Sequence, residues 1–285
     1  MKPQPTFLAL ALIFAQPGAA GAAETPGAGG LGAAASLSLA LPDPVRNPGS
    51  SRMLAGAWVP SDPGAIDFSR LPRIPVEHAV VSDVSARKGV NQHNYLAHFA
   101  GRFWAMWSDG PRIEDFAGQV VKYSTSLDGL AWTEPKMLTG YPPQSGPDSP
   151  HYNTRDKEGF RYFARGFWVR EGQLLALVAM DDTGGFFGEK LELRALRWNE
   201  SEKTWDEAGI VQSNAINNFP PQRLPNGAWA MTRRKHDYQT SGVELLIGGV
   251  ERMDRWISHP VVRGGVSDSA LKAEEPIWYA LPSGH

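Results

Sequence analysis

Apolar and polar positions along this chain recur at the spacing of strands rather than helices. Residues 95–108 (YLAHFAGRFWAMWS) break at Gly101, and residues 119–126 (QVVKYSTS) follow. The same plan returns in residues 161–180 (RYFARGFWVREGQLLALVAM) with 190–198 (KLELRALRW), and again in 219–234 with 242–250 (GVELLIGGV). In each copy two runs rich in aromatic and β-branched residues meet near a glycine, as in a hairpin, and a third run follows. Helical periodicity is weak throughout. A turn and a tryptophan close each copy: Tyr123 to Trp132, Leu196 to Trp205 and Ile247 to Trp256 each span nine residues.

Glycines 101, 172, 227 and 284 are placed at hairpin tips, at intervals of 71, 55 and 57 residues. Those intervals fit units of four short strands, which predicts an all-β chain built as a β-propeller of four-stranded antiparallel blades. A plain sandwich would also give many strands, but not the thrice-repeated turn-to-Trp interval. Leu281-Pro-Ser-Gly284 repeats Leu224-Pro-Asn-Gly227, and the sequence stops where the earlier copy enters Trp229. The expectation is therefore an incomplete propeller, about three blades plus the start of a fourth, truncated at its C-terminus.

The ends read differently. Lys2, the apolar run of residues 7–15 (FLALALIFA) and Ala20-Gly21-Ala22 have the plan of a signal peptide over residues 1–22, too short to span a bilayer. Residues 23–51 are Ala, Gly, Pro and Ser with few charges, which predicts a disordered linker. The globular part is then 52–285, and the expected location is secreted or periplasmic.

Composition narrows the function classes. A net charge of −2 gives no electrostatic reason to expect nucleic acid. The sequence has no cysteine, which excludes disulfides and thiolate sites but not export. No His/Asp/Glu spacing amounts to a metal site and no cofactor is implied. The sequence is silent on oligomeric state.

Propellers bind ligands at one mouth of their central channel, so polar residues near the start of each repeat are the candidates. The first repeat opens with Asn91-Gln92-His93-Asn94-Tyr95. The second has His151-Tyr152-Asn153-Thr-Arg155 before it, then Arg161 and Arg165. The third opens with Asn217-Asn218 and carries Arg233-Arg234 at the far end of its hairpin. His93 and Tyr152 are the groups that could move protons. Asn94, Arg155, Arg165, Asn218, Arg233 and Arg234 are the substrate-binding candidates, because guanidinium groups grip carboxylates in pairs of hydrogen bonds. Such a funnel suits an acidic oligo- or polysaccharide. Each of these residues has an ordinary alternative as a satisfied turn or rim group. Asp109, in a Ser-Asp-Gly sequence, and Asp181-Asp182 are acids that could donate a proton, but Asp beside Gly is first a turn former.

Ser126-Leu-Asp128-Gly129-Leu-Ala-Trp132 resembles the Asp-box of sialidase-like propellers, S-x-D-x-G-x-x-W, with one residue fewer between Asp and Gly. That makes Asp128 structural. With residues 91–110 (NQHNYLAHFAGRFWAMWSDG) and 217–229 (NNFPPQRLPNGAW), the chain from about residue 66 is similar to the sialidase-like superfamily of secreted propellers. Arg73-Ile74-Pro75 matches a motif near the start of sialidases, although residues 76–85 lack the hairpin that should follow. The resemblance implies a glycoside hydrolase of exo-sialidase type acting on acidic glycans. Three arginines would bind the substrate carboxylate, with a tyrosine nucleophile and an aspartic general acid; the late arginines and that tyrosine belong to blades beyond this sequence. Ulvan-lyase-like propellers are the rival: His93-Asn94, Tyr152 and Arg165 fall in the order that family uses for β-elimination. A glycan-binding propeller without catalysis is the third reading.

Overall fold

The computed structural model describes residues 67, 69, 75–182 and 187–263. The chain divides into two compact units, Met1–Arg73 and Ile74–His285. In the first, Asp67 and Ser69 are described, and the Ser69 amide and hydroxyl both donate to the Asp67 carboxylate. The signal-peptide and linker segments, Arg73 and the repeat ending at Gly284 lie outside the described residues.

Among the described residues, twelve strands, all in the second unit, form three four-stranded sheets. Sheet 1 holds β1 (Val90–Phe99), β2 (Arg102–Gly110), β3 (Val120–Ser126) and β4 (Lys136–Met137). Sheet 2 holds β5 (Phe160–Arg170), β6 (Gln173–Asp182), β7 (Glu192–Asn199) and β8 (Thr204–Ser213). Sheet 3 holds β9 (Gln222–Arg223), β10 (Trp229–Arg234), β11 (Gly242–Gly248) and β12 (Trp256–Arg263). Every sheet is an antiparallel meander in chain order, the plan of a propeller blade. The three sheets form an incomplete propeller. The described helical structure of this unit is a 3-10 turn at Ser85–Arg87 and a four-residue helix, α1 (Tyr238–Ser241).

Local chemistry sets the hairpins. Phe99 pairs with Arg102 across Ala100-Gly101, and Arg170 pairs with Gln173 across Glu171-Gly172. Both two-residue loops have positive φ at each position, 49° and 73° in the first and 51° and 72° in the second. That geometry matches the twist of the flanking strands, and the glycine takes its share without strain. In sheet 3 the tip is longer, with Gly227 at φ 85°.

Packing runs face to face. Trp104, Met106, Val121 and Tyr123 of sheet 1 meet Phe167, Leu174, Ala176 and Val178 of sheet 2. Leu175, Leu177 and Ala179, on the opposite face of β6, meet Ile216, Met231 and Leu246 on the sheet 3 side. Strand β6 is covered on both faces, which is why its sequence is apolar without alternation.

The three tryptophans occupy the same station. Trp132 bridges Ser126, Trp205 pairs with Trp198, and Trp256 pairs with Gly248, each where the chain turns back from the third strand of its sheet. Trp205 leans on sheet 1, with ring centroids 5.8 Å from Trp104 and 5.7 Å from Tyr123. Trp256 leans on sheet 2, 6.0 Å from Trp168. Trp132 and Trp256 also share an indole hydrogen bond to the carbonyl three residues back, Gly129 O at 2.9 Å and Met253 O at 2.8 Å. In the Ser126–Trp132 turn the Asp128 carboxylate accepts from the Leu130 and Ala131 amides, both at 2.8 Å. Those bonds hold its pKa below the ordinary aspartate value, so Asp128 serves the turn.

Strands β1 and β5 each carry one extra residue. The register slips between Gln92 and Tyr95 in β1, and between Ala164 and Phe167 in β5. His93 sits in the first bulge at φ 52° and Gly166 in the second at φ 98°. A Cβ on Gly166 would lie 2.7 Å from Pro220 Cδ and 3.1 Å from Tyr95 Cδ1. Gly166→Ala is therefore expected to lower stability by roughly 1–3 kcal/mol, from backbone strain and crowding together. Urea unfolding would show this as a lower midpoint at constant slope; an unchanged midpoint contradicts it.

Candidate functional site

A bulge re-aims the side chains beside it, and the bulges of β1 and β5 bring His93 and Arg165 to one place. His93 Nδ1 lies 3.1 Å from Ser108 Oγ at the end of β2, and its ring meets Phe163 edge-on at 5.6 Å. The guanidinium groups of Arg161 and Arg165 lie over that same phenyl ring, at 4.9 and 5.2 Å from its centroid. Arg161 is fully buried and Arg165 is 4% exposed. From the end of β10 comes Arg234, also 4% exposed, whose Nη2 donates to Asn218 Oδ1 at 2.9 Å. Its guanidinium stacks over Phe187 and Tyr238, 5.2 Å from each ring. Asn218 is further held by its carbonyl, which accepts from the Tyr95 hydroxyl at 2.6 Å.

The charges are unevenly compensated. Arg161 pairs with Asp181 at 2.8 Å, both side chains being wholly buried, and with Asp115 at 2.9 Å. Burial pushes the Asp181 carboxyl up to about 6, with Arg161 and the Gly188 amide pulling the other way. His93 is pushed down to about 2, first by burial and then by the positive charges of Arg165, Arg234 and Arg161. It is a neutral imidazole at any ordinary pH. Arg234 has no carboxylate within ion-pair distance among the described residues, and its buried Nε has no acceptor. Glu114, in the loop between β2 and β3, lies with Oε1 3.8 Å from His93 Nε2 and is largely exposed.

This cluster gathers three of the eight sequence candidates at its centre, His93, Arg165 and Arg234, with Asn218 behind Arg234. Arg155 is on the rim, its Nη2 donating to the Glu114 carbonyl at 3.1 Å and its guanidinium over Phe116. Asn94 is the exposed neighbour of His93 on β1. Arg233 projects to the opposite face of β10 from Arg234. There it pairs with Glu244 at 3.2 Å and donates to the Ser213 and Asn214 carbonyls.

Tyr152 makes no hydrogen bond or ring contact to His93, Arg165 or Arg234 among the described residues. It packs on Gly118 and edge-on to Tyr141 at 6.3 Å, and its charged neighbours are Arg87 and Asp109. Ser108, which holds His93, and Asp109 are consecutive on β2 and so project to opposite faces of sheet 1. Burial is the first cause that raises the Tyr152 pKa above the ordinary phenol value.

Arg161, Asp181, Ser108, Glu114 and Asp115 complete the cluster, and none of them is among those eight candidates. Arg161, Phe163 and Arg165 alternate along β5, and that spacing was a readable signal for one face. Asp109 corrects an expectation. It lies inside β2 rather than in a turn, because Arg87 and Lys122 (3.1 Å) both pair with it and let the strand run on to Gly110.

No family model matches the chain, and no curated protein matches it. Solved structures do. A family 117 glycoside hydrolase from the marine bacterium Zobellia galactanivorans is 12% identical with a TM-score of 0.47, over 64% of this chain and 59% of the other. An endo-arabinase from Bacteroides thetaiotaomicron is 12% identical with a TM-score of 0.41, over 62% and 64%. A sialidase is 15% identical with a TM-score of 0.39, over 66% of this chain and 22% of its own. The chain spans less than two thirds of the length of each.

Proposed function

We propose that this protein is a secreted carbohydrate-active enzyme, a glycoside hydrolase that takes an acidic sugar at the arginine-rich end of its sheets. The observation that carries this reading is Arg234: a guanidinium almost wholly buried, stacked on two rings, hydrogen-bonded to a neutral amide and lacking a carboxylate partner among the described residues. A buried cation of that kind is costly unless an anion meets it. A substrate carboxylate bound by Arg234, with Arg165 beside it, offsets that cost and fixes the sugar's orientation.

Glu114 is the group this reading assigns to proton transfer, being an exposed carboxylate next to the same imidazole. Asp115 and Asp181 hold Arg161 and shape the field instead. Hydrolysis is preferred to β-elimination because Tyr152, which the lyase chemistry would need beside His93, has Arg87 and Asp109 as neighbours. In this reading residues 1–22 direct export and 23–51 form the linker.

A fluorogenic sialoside tests it. The complete propeller, with the blades that carry the tyrosine nucleophile, is expected to release free sialic acid, and Arg234→Met in it to lose roughly 10- to 150-fold in kcat/KM, the value of a charge-assisted bond to a carboxylate. An unsaturated uronate product from a polyuronate would show a lyase, and binding without turnover would show a lectin-like module. Either result overturns the proposal.

A further inference from the structure

Ser108 is wholly buried, and its hydroxyl touches two groups: it accepts from the Ala164 amide at 2.9 Å and lies 3.1 Å from His93 Nδ1. A serine hydroxyl has one proton to give. The Ala164 amide can only donate, so among the described residues the sole acceptor within reach of that proton is His93 Nδ1. We propose that Ser108 locks His93 in the neutral tautomer that carries its proton on Nε2, making His93 a fixed hydrogen-bond donor to the ligand rather than a proton shuttle.

The competing arrangements fail on hydrogen-bond accounting. With the proton on Nδ1, Ser108 Oγ would accept twice and its own proton would be buried with no acceptor. An orphaned buried hydroxyl of that kind disfavours the alternative on the order of tenfold or more. The imidazolium form has the same defect and would also face Arg161 and Arg165 of β5 and Arg234 of β10, with only the largely exposed Glu114 carboxylate, 3.8 Å from Nε2, to offset them. Burial and those three charges act in the same direction as the serine bond.

Among the described residues nothing accepts from the Nε2–H, which leaves it for a ligand. Its separation of 3.8 Å from Glu114 Oε1 is too long for a hydrogen bond. The chemistry selected is an acceptor oxygen, such as a carboxylate or a ring or hydroxyl oxygen next to one. An ammonium or other pure donor is rejected by the same N–H. Ser108 is thus a positioning residue, acting on specificity through His93. The ligand class rests on the anion-binding reading given above; the tautomer does not, because it is a property of the free protein.

Nitrogen-15 NMR on the full chain labelled at histidine separates the two, with the His93 signals assigned by their loss in His93→Gln. The expected result is the Nε2–H tautomer, unchanged from pH 8 to about pH 4.5, well above the depressed pKa of the ring. In Ser108→Ala the ring is expected to become a tautomer mixture, and in Ser108→Thr, which keeps the hydroxyl, to return to the single form. An Nδ1–H ring in the unaltered protein, or titration of His93 near the ordinary imidazole value, overturns the proposal. So does a Ser108→Ala spectrum identical to that of the unaltered protein. Calorimetry with N-acetylneuraminic acid is the second arm. Binding weakened about tenfold in Ser108→Ala and restored in Ser108→Thr supports the specificity role, and binding indifferent to both variants overturns that role. Failure of the unaltered chain to bind this acid overturns the anion-binding reading while leaving the tautomer result standing.

Discussion

Arg161→Met is expected to destabilise the protein by about 3–5 kcal/mol, because it strands the Asp181 carboxylate in a wholly buried position. The loss is charge-specific, and its pH dependence shows that. The Asp181 pKa of about 6 in the fold lies above its unfolded value of 3.8, so ionising it costs stability above pH 6. That cost fades as the pH falls through 6 and is gone below 3.8. Without Arg161 the folded pKa rises further and the penalty grows. Urea unfolding should therefore show a larger deficit for Arg161→Met at about pH 8 than at about pH 5. The double variant Arg161→Met/Asp181→Leu should recover most of the loss, since a buried pair replaced by apolar groups is often near neutral. A deficit equal at both pH values, or no recovery in the double variant, would sink this account.

Trp104→Ala is expected to cost a comparable sum, about 3–5 kcal/mol, for a different reason. Trp104 is fully buried where sheets 1 and 2 meet, with Trp198 at 4.9 Å, Trp205 at 5.8 Å and Tyr123 at 6.2 Å, and its indole donates to the Phe99 carbonyl at 3.2 Å. Truncation leaves a cavity under Trp205 and removes the indole's bond to Phe99 O, a carbonyl that keeps its pairing with Arg102 across the β1–β2 turn. The melting temperature should fall by roughly 10 °C or more. Trp104→Phe, which keeps a ring but no N–H, should fall in between. A melting temperature within a degree or two of the unaltered protein would show that the sheets do not depend on this contact.

Much of the architecture was legible because it is written locally. Ala100-Gly101 and Glu171-Gly172 are short-range turn signals, and Trp132, Trp205 and Trp256 mark one station at a fixed distance after the third strand. The site was legible only in part. His93, Arg165 and Arg234 were recognisable as polar residues next to apolar strands, and the structure brings them together. Nothing local pairs Arg161 with Asp181, twenty residues on and in the neighbouring strand. The bulge at His93 is a register slip of one residue, which no alternation pattern announces. Tyr152 fitted a residue order, but order along the chain does not say which face of sheet 1 a loop residue reaches. Asp109 looked like a turn former because its neighbour is glycine, whereas its partners Arg87 and Lys122 come from outside the motif.

Strand β6 carries a liability into biosynthesis. Its stretch Leu174-Leu-Ala-Leu-Val-Ala-Met180 has no charge, no proline and high β-propensity, the composition that self-associates when left open. Sheet 1 precedes it and can shelter one face as it emerges. The other face waits for Ile216, Met231 and Leu246, so a nascent chain must carry that sticky surface for dozens of residues before cover arrives.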